Sequence, residues 1–138
     1  LTPSTAAYSE LWLSGPEGVG KRDPVGGSGS EESEPLYGET YLPRKFKLAI
    51  SLPDDNCVDV YSHDLGLLAV RQGSTVVGYN VLVGGGFGNT PSNKKTFPAL
   101  AKPLAFVTPD QVVDVVKAII KVYRDFGNRS DRKRSRLK

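Results

Sequence analysis

The 138-residue chain has no methionine, one cysteine, one histidine and one tryptophan. A single thiol excludes an internal disulfide and any multi-cysteine metal site formed by this chain alone. That thiol, Cys57, ends the turn-like run Pro53-Asp54-Asp55-Asn56-Cys57 and reads as incidental. His63 stands beside Asp64 with no second histidine, so a surface turn residue is a better reading than half of a catalytic dyad. No apolar run approaches the roughly 20 residues that span a bilayer, and no basic-then-apolar leader is present. The chain is therefore expected to belong to a soluble protein without membrane contact. It begins at Leu1 and ends in a charged run without a stop signal, which reads as an internal piece of a longer protein.

Dinucleotide and nucleotide fingerprints are missing too. Gly84-Gly85-Gly86-Phe87-Gly88-Asn89 invites G-x-G-x-x-G, yet a start at Gly84 leads to Asn89 and a start at Gly86 leads to Pro91. There is no Walker sequence. Three glycines at a strand end still allow backbone N–H groups to approach an anion or a flat macrocycle, as readily as they make an ordinary turn.

What is present reads in order along the chain. Residues 1–13 look like the end of a preceding element, with Trp12 as a core anchor. Residues 14–34, rich in Gly, Pro, Ser and acid, look like a flexible insertion. A domain follows over 35–138. From Leu42 to Leu52 the even positions (Leu42, Arg44, Phe46, Leu48, Ile50, Leu52) are mostly apolar, and the odd ones include Lys45 and Lys47. Alternation predicts a strand with the even side in the core and two ammonium groups on the other side. Those lysines are either a solvated face or neighbours of an anion. A turn is predicted at Pro53 to Asn56, a further short element at Val58 to Tyr61, and a β-hairpin from Leu67–Arg71 and Val76–Val83 across Gln72 to Thr75.

Thr108, Pro109 and Gln111 match an N-cap, a first helical position and the third residue of a capping box. The helix predicted from them runs to Phe126, buries Val112, Val115, Val116, Ile119, Ile120, Tyr123 and Phe126, and stops at Gly127 in a left-handed conformation. Asn128 then caps a basic helix. The net charge is +3, but six bases against one acid fall in residues 128–138, so the rest of the chain is slightly acidic. Arg129, Arg132, Lys133 and Arg136 recur at helical spacing, which suits a compact polyanion as well as a phosphate backbone. Asn93-Lys94-Lys95-Thr96 is either surface or an extension of that electropositive region. The architecture expected is α+β, a mostly antiparallel sheet packed against the C-terminal helix.

Tyr41-Leu42-Pro43-Arg44-Lys45-Phe46-Lys47 resembles the signature strand of the sulfite reductase hemoprotein family, siroheme and iron–sulfur enzymes that include assimilatory nitrite reductases. Four further segments match in the family's order: Ala7 to Trp12, Glu34 to Gly38, Val83 to Gly86, and Gly127 to Lys133. Pro16 to Glu32 carries none of the resemblance and looks like a lineage-specific insertion.

This resemblance implies the six-electron reduction of sulfite to sulfide at a siroheme coupled to a [4Fe–4S] cluster. It places Lys45 and Lys47 as catalytic groups that polarise S–O bonds and support proton delivery. It places Asn128, Arg129 and Arg132 against siroheme, whose eight carboxylates arginine forks suit, and Gly84, Gly85 and Gly86 in a cofactor-contacting loop. Arg44 reads as structural. The cluster needs four thiolates, which the family supplies from downstream of this segment, so no metal ligand is expected here. The implied partners are sulfite and an electron donor, ferredoxin or a flavoprotein, in the cytoplasm or, for an alga or plant, the plastid stroma. Nitrite-preferring members commonly carry asparagine where this chain has Lys47, which favours sulfite over nitrite. A nucleic-acid-binding role for the basic tail is the reading from another class.

Overall fold

The computed structural model describes residues 1–5, 10–14, 22–27 and 33–138. Ala7 to Ser9 of the first family-like segment and the Trp12 side chain lie outside them. Two compact units result, Leu1–Tyr41 and Leu42–Lys138.

In the first unit, β1 (Glu10–Ser14) pairs antiparallel with β2 (Arg22–Gly27), with a register shift between Leu11 and Trp12. Strand β2 falls within the stretch that composition assigns to a flexible insertion. Farther along, the Glu34 carboxylate is buried and accepts the N–H groups of Ser4 at 2.9 Å, Thr5 at 3.0 Å and Leu36 at 3.3 Å. Burial pushes its pKa up, but these donors and the Thr5 hydroxyl outweigh burial and hold it below the usual carboxylate value.

The second unit is built on a four-stranded sheet of order β3 (Leu48–Ser51), β4 (Leu65–Gln72), β5 (Thr75–Val83) and β6 (Lys102–Val107), followed by α1 (Val112–Phe126). Only β3 and β4 run parallel; the other two pairings are antiparallel. The α+β architecture expected from the sequence is thus present. Strands β4 and β5 form the predicted hairpin, turned at Gly73, whose φ of 62° suits a residue without Cβ. One face of the sheet buries Ala49, Val60, Leu82 and Ala101 in a common cluster. Alternate residues Leu65, Leu67, Ala69, Val81 and Val107 are buried on the opposite face, as are Val116, Ile120 and Tyr123 of α1. Helix α1 shares the walls of an apolar cavity with the β5 and β6 ends, so it lies on that side.

Several expectations change. The predicted strand over 42–52 reduces to β3, and Lys45 and Lys47 precede it in an irregular segment. The burial phase is also reversed: Ala49 and Ser51 are buried, whereas Ile50 is 57% and Leu52 46% exposed. Close approach decides this. Val60, in a 3₁₀ turn over Val60–Ser62 that replaces any strand there, crowds this face so tightly that a Cβ on Gly66 would come within 2.8 Å of its side chain. Small residues fit under such a crossing, and larger ones turn away.

Strand β6 has no counterpart among the predicted elements. Pro103 within it explains the omission, because a proline argues against an interior strand and is tolerated at an edge. Helix α1 begins at Val112 rather than Thr108 or Pro109, after a turn in which Gln111 N–H donates to the Thr108 carbonyl at 3.0 Å. Half of the capping box does form, since the Gln111 side-chain oxygen accepts the Thr108 N–H at 3.2 Å. Phe126, assigned to the buried face, is 83% exposed. Gly127 is extended, with φ −65° and ψ 139°, not left-handed. It is needed for space: a Cβ there would lie 2.4 Å from the Tyr123 carbonyl and 2.6 Å from Pro43 Cγ. No basic helix follows it, and residues 128–138 form turns and bends.

Candidate anion-binding site

The C-terminal segment reaches the glycine turn and encloses a cavity of about 690 Å³ with it. Arg44, Arg132, Lys133, Arg134, Arg136 and Lys138 line this cavity together with Gly88, Asn89, Thr90, Thr96 and Phe97, and no carboxylate is among the described residues of its wall. Six cations converging without a lining acid repel one another, an arrangement that an anion relieves.

Buried anchors hold the segment in place. Tyr123, on the inner face of α1, donates its hydroxyl to the Ser135 carbonyl and also lies 3.5 Å from the Arg44 carbonyl. Burial, with the charge of Asp64 second, pushes the Tyr123 pKa up, which keeps it a donor. Arg44 donates to the Arg132 carbonyl at 2.7 Å, and Ser135 Oγ to the same carbonyl at 2.8 Å. Lys138 Nζ donates to the carbonyls of Gly86 at 3.0 Å, Gly88 at 3.3 Å and Phe97, and stands 5.0 Å from the centre of the Phe97 ring. Burial, and then the nearby Arg136, pull the Lys138 pKa down. Lys95 pairs with Asp131 at 3.1 Å, tying the polar loop after the glycine turn to the basic segment. One buried donor of Arg136, Nη1, has no hydrogen-bond partner among the described residues.

The site residues expected from the sequence do not all meet here. Arg132 lines the cavity, as does Arg44, which had been read as structural and both bonds and lines. Lys45 is exposed and Lys47 half-buried, and neither lines this wall. Arg129 reaches back to the Arg124 carbonyl at 3.0 Å, at the end of α1. Asn128 Oδ1 accepts from Ser130 N–H at 3.0 Å and Asp131 N–H at 2.8 Å, so it caps a turn where a helix had been expected.

Gly84, at φ 80°, opens the glycine turn. The N–H groups of Gly84, Gly85 and Gly86 donate to the carbonyls of Asp64, His63 and Ala99 at 2.9, 3.0 and 2.8 Å. An anion near this turn therefore meets the surrounding cations rather than these N–H groups. Gly85 is required for close packing, since its Cβ would fall 2.3 Å from the Tyr61 carbonyl. The cavity residues that sequence reasoning missed, Arg134, Lys138 and Gly88 to Thr90, carry no periodic signal; their shared mark is cation density next to a glycine-rich turn. A second cavity of about 550 Å³, largely apolar, adjoins the first, with Phe97 and Lys138 bordering both and Val83, Leu104, Ile119 and Val122 beyond.

Residues 2–138 match the family model described as the nitrite and sulphite reductase 4Fe-4S domain. The chain belongs to this family. The sulfite reductase [NADPH] hemoprotein beta-component of Shewanella sediminis is 50% identical over 136 residues, covering 99% of this chain and 23% of that protein. The sulfite reductase [NADPH] subunit beta of Schizosaccharomyces pombe is 49% identical over all 138 residues, 9% of its length. The chain thus spans less than a quarter of the curated relatives it matches. Among solved structures, the NirA protein of Mycobacterium tuberculosis superposes with a TM-score of 0.56 at 34% identity over 70% of this chain and 16% of that one. Membership in the nitrite and sulphite reductase 4Fe-4S domain family fits the resemblance read from the five sequence segments. Among the described residues no helix is long and apolar enough to cross a membrane.

Proposed function

We propose that this chain supplies part of the siroheme and substrate site of an assimilatory sulfite reductase, which carries out the six-electron reduction of sulfite to sulfide. The observation that carries the reading is the cavity lined by six cations and no acid, adjoining an apolar one, in a chain of this family. A polycarboxylate macrocycle has the matching chemistry, an apolar ring with anionic substituents. Arg44, Arg132, Arg134 and Arg136 suit its carboxylates as planar forks. Lys133 and Lys138 add point charges. When bound, siroheme supplies the iron at which the oxyanion is reduced.

Lys45 and Lys47 act on the oxyanion in this reading. Their ammonium groups offset its charge and donate protons as the S–O bonds weaken, in a reaction that takes up six protons and releases three waters. Asn128 and Arg129 have the weaker claim on siroheme, since both are engaged locally. A [4Fe–4S] cluster does not fit the residues present, because one cysteine cannot supply four thiolates; its ligands belong to the rest of the protein. The relatives are named for NADPH, a hydride donor, so a flavoprotein that divides the hydride into single electrons is a better partner than ferredoxin. Cytoplasm is the compartment proposed, with plastid stroma its counterpart for an algal or plant source. The nucleic-acid reading rested on the excess of bases in residues 128–138; of those cations, Arg132, Lys133, Arg134, Arg136 and Lys138 line one cavity with Arg44, which suits a compact polyanion better than an extended phosphate backbone.

The test is the full-length protein with Arg132→Ala and Arg136→Ala together. Siroheme content, read from visible absorbance and extracted pigment per protein, should fall severalfold or more while the fold persists. Unchanged occupancy in the double variant, or a colourless wild type that binds duplex nucleic acid in a salt-dependent way, would defeat the proposal.

A further inference from the structure

Asp64 sits where the Lys45–Lys47 segment and the glycine turn meet. Its carboxylate is fully buried. Oδ2 accepts the Lys47 N–H at 2.9 Å, the backbone carbonyl accepts the Gly84 N–H at 2.9 Å, and the next residue, Leu65, donates its N–H to the Lys47 carbonyl at 3.1 Å. One dipeptide therefore fixes both backbone groups of Lys47. A hydrogen bond to an ionised acceptor is roughly twice as strong as a neutral one. Asp64 and Arg136 both act electrostatically on Tyr123 and on Lys138. Asp64 Oδ1 and Arg136 Nη1 are the two buried side-chain atoms without a partner among the described residues, an acceptor and a donor left by complementary groups.

We propose that Asp64 is a positioning residue for the oxyanion site, clamping the Lys47 backbone so that its ammonium is presented in one place. This rests on the reading of Lys47 as an oxyanion contact. A lysine on a long flexible stem gains most from a fixed root, because a displacement of about 1 Å at a reacting group can cost on the order of 100-fold in rate.

Full-length protein carrying Asp64→Ala, Asp64→Asn or Asp64→Glu tests the inference by two readouts. The first is hydrogen exchange of peptides spanning residues 45–52, measured by mass spectrometry; the second is steady-state kinetics with sulfite. In Asp64→Ala, exchange at Lys47 should quicken by about 10-fold or more, the scale of one charge-assisted hydrogen bond, and KM for sulfite should rise by a similar factor. Asparagine keeps an acceptor at the same reach but not the charge, so Asp64→Asn should lie between wild type and Asp64→Ala in both. Should the alanine variant not accumulate, Asp64→Glu keeps the charge but shifts the acceptor by one methylene, and its KM should rise. Unchanged exchange in the alanine variant overturns the inference, as does a raised KM in Asp64→Asn with exchange preserved, or an unchanged KM in Asp64→Glu. A wild type that turns over no sulfite overturns the reading of Lys47 instead, and the exchange comparison still judges the clamp.

Discussion

Lys47 is held by its backbone, with its N–H on the Asp64 carboxylate and its carbonyl on Leu65, which leaves the side chain free of a structural duty among the described contacts. A cation so placed can be matched to an oxyanion. Sulfite is partly a dianion near neutral pH and has three oxygens, whereas nitrite is a monoanion with two; a second ammonium in addition to that of Lys45 would complement the larger charge. Lys47→Asn in the full-length enzyme should therefore shift the ratio of specificity constants toward nitrite, by on the order of 10-fold for one charge-assisted contact. Steady-state rates with both substrates and a common artificial electron donor would measure it. A wild-type preference for nitrite, or a ratio that the substitution leaves alone, removes Lys47 from the choice. Arg44 teaches the complementary lesson: alternation assigned it to the buried side of a strand, but its segment is irregular, and its guanidinium bonds the Arg132 carbonyl and lines the cationic cavity.

Elements were legible where local chemistry fixes them and illegible where a distant contact does. The β4–β5 hairpin follows from two apolar runs around Gly73, and α1 from its apolar periodicity and half-formed capping box. Helical spacing of Arg129, Arg132, Lys133 and Arg136 gave no helix, because Tyr123, Arg44 and Lys138 tie that segment down one residue at a time through backbone carbonyls. Arg132 was placed against siroheme by the family resemblance and not by that spacing, and it lines the cavity, whereas Arg134 and Lys138 fell outside both signals. Gly127 separates two meanings of glycine. Its φ of −65° is open to any residue, so a positive-φ argument predicts that alanine is harmless. The contacts predict the reverse, since the new methyl would press on the Tyr123 carbonyl and on Pro43. Gly127→Ala should destabilise the protein by about 1–3 kcal/mol, the usual cost of overpacking. Gly73→Ala meets open space and should cost only the left-handed penalty of about 1–2 kcal/mol. Thermal melts of both variants, alone and with Pro43→Ala added, decide between the causes: partial relief by Pro43→Ala is expected for Gly127→Ala alone, and a Gly127→Ala protein as stable as wild type would discard the contact argument.

At the scale of the molecule, the second unit leaves unusual apolar surface in water. Ile50 on β3 and Leu52 just after it, Leu100, Leu104 and Phe106 on and before β6, and Val122 and Phe126 on α1 are all exposed. Both outer strands of the sheet are edges, and β6 presents its apolar residues next to an open ladder of backbone groups. Single exposed apolar residues are ordinary, but several along one edge and one helix are expected to be covered in the full-length protein. Relatives at about half identity are more than four times as long, so the covering material is expected within the same polypeptide. The 138-residue chain produced alone should then self-associate and bind a hydrophobic-surface dye, whereas the full-length protein should do neither. Replacing Phe126, 83% exposed, by serine should shift the isolated chain toward monomer, because that side chain has little internal contact to lose, and should impair folding of the full-length protein, where the same position is expected to be buried. Size-exclusion chromatography with light scattering reads both arms. An isolated wild-type chain that runs as a clean monomer without dye binding would show that this surface needs no cover.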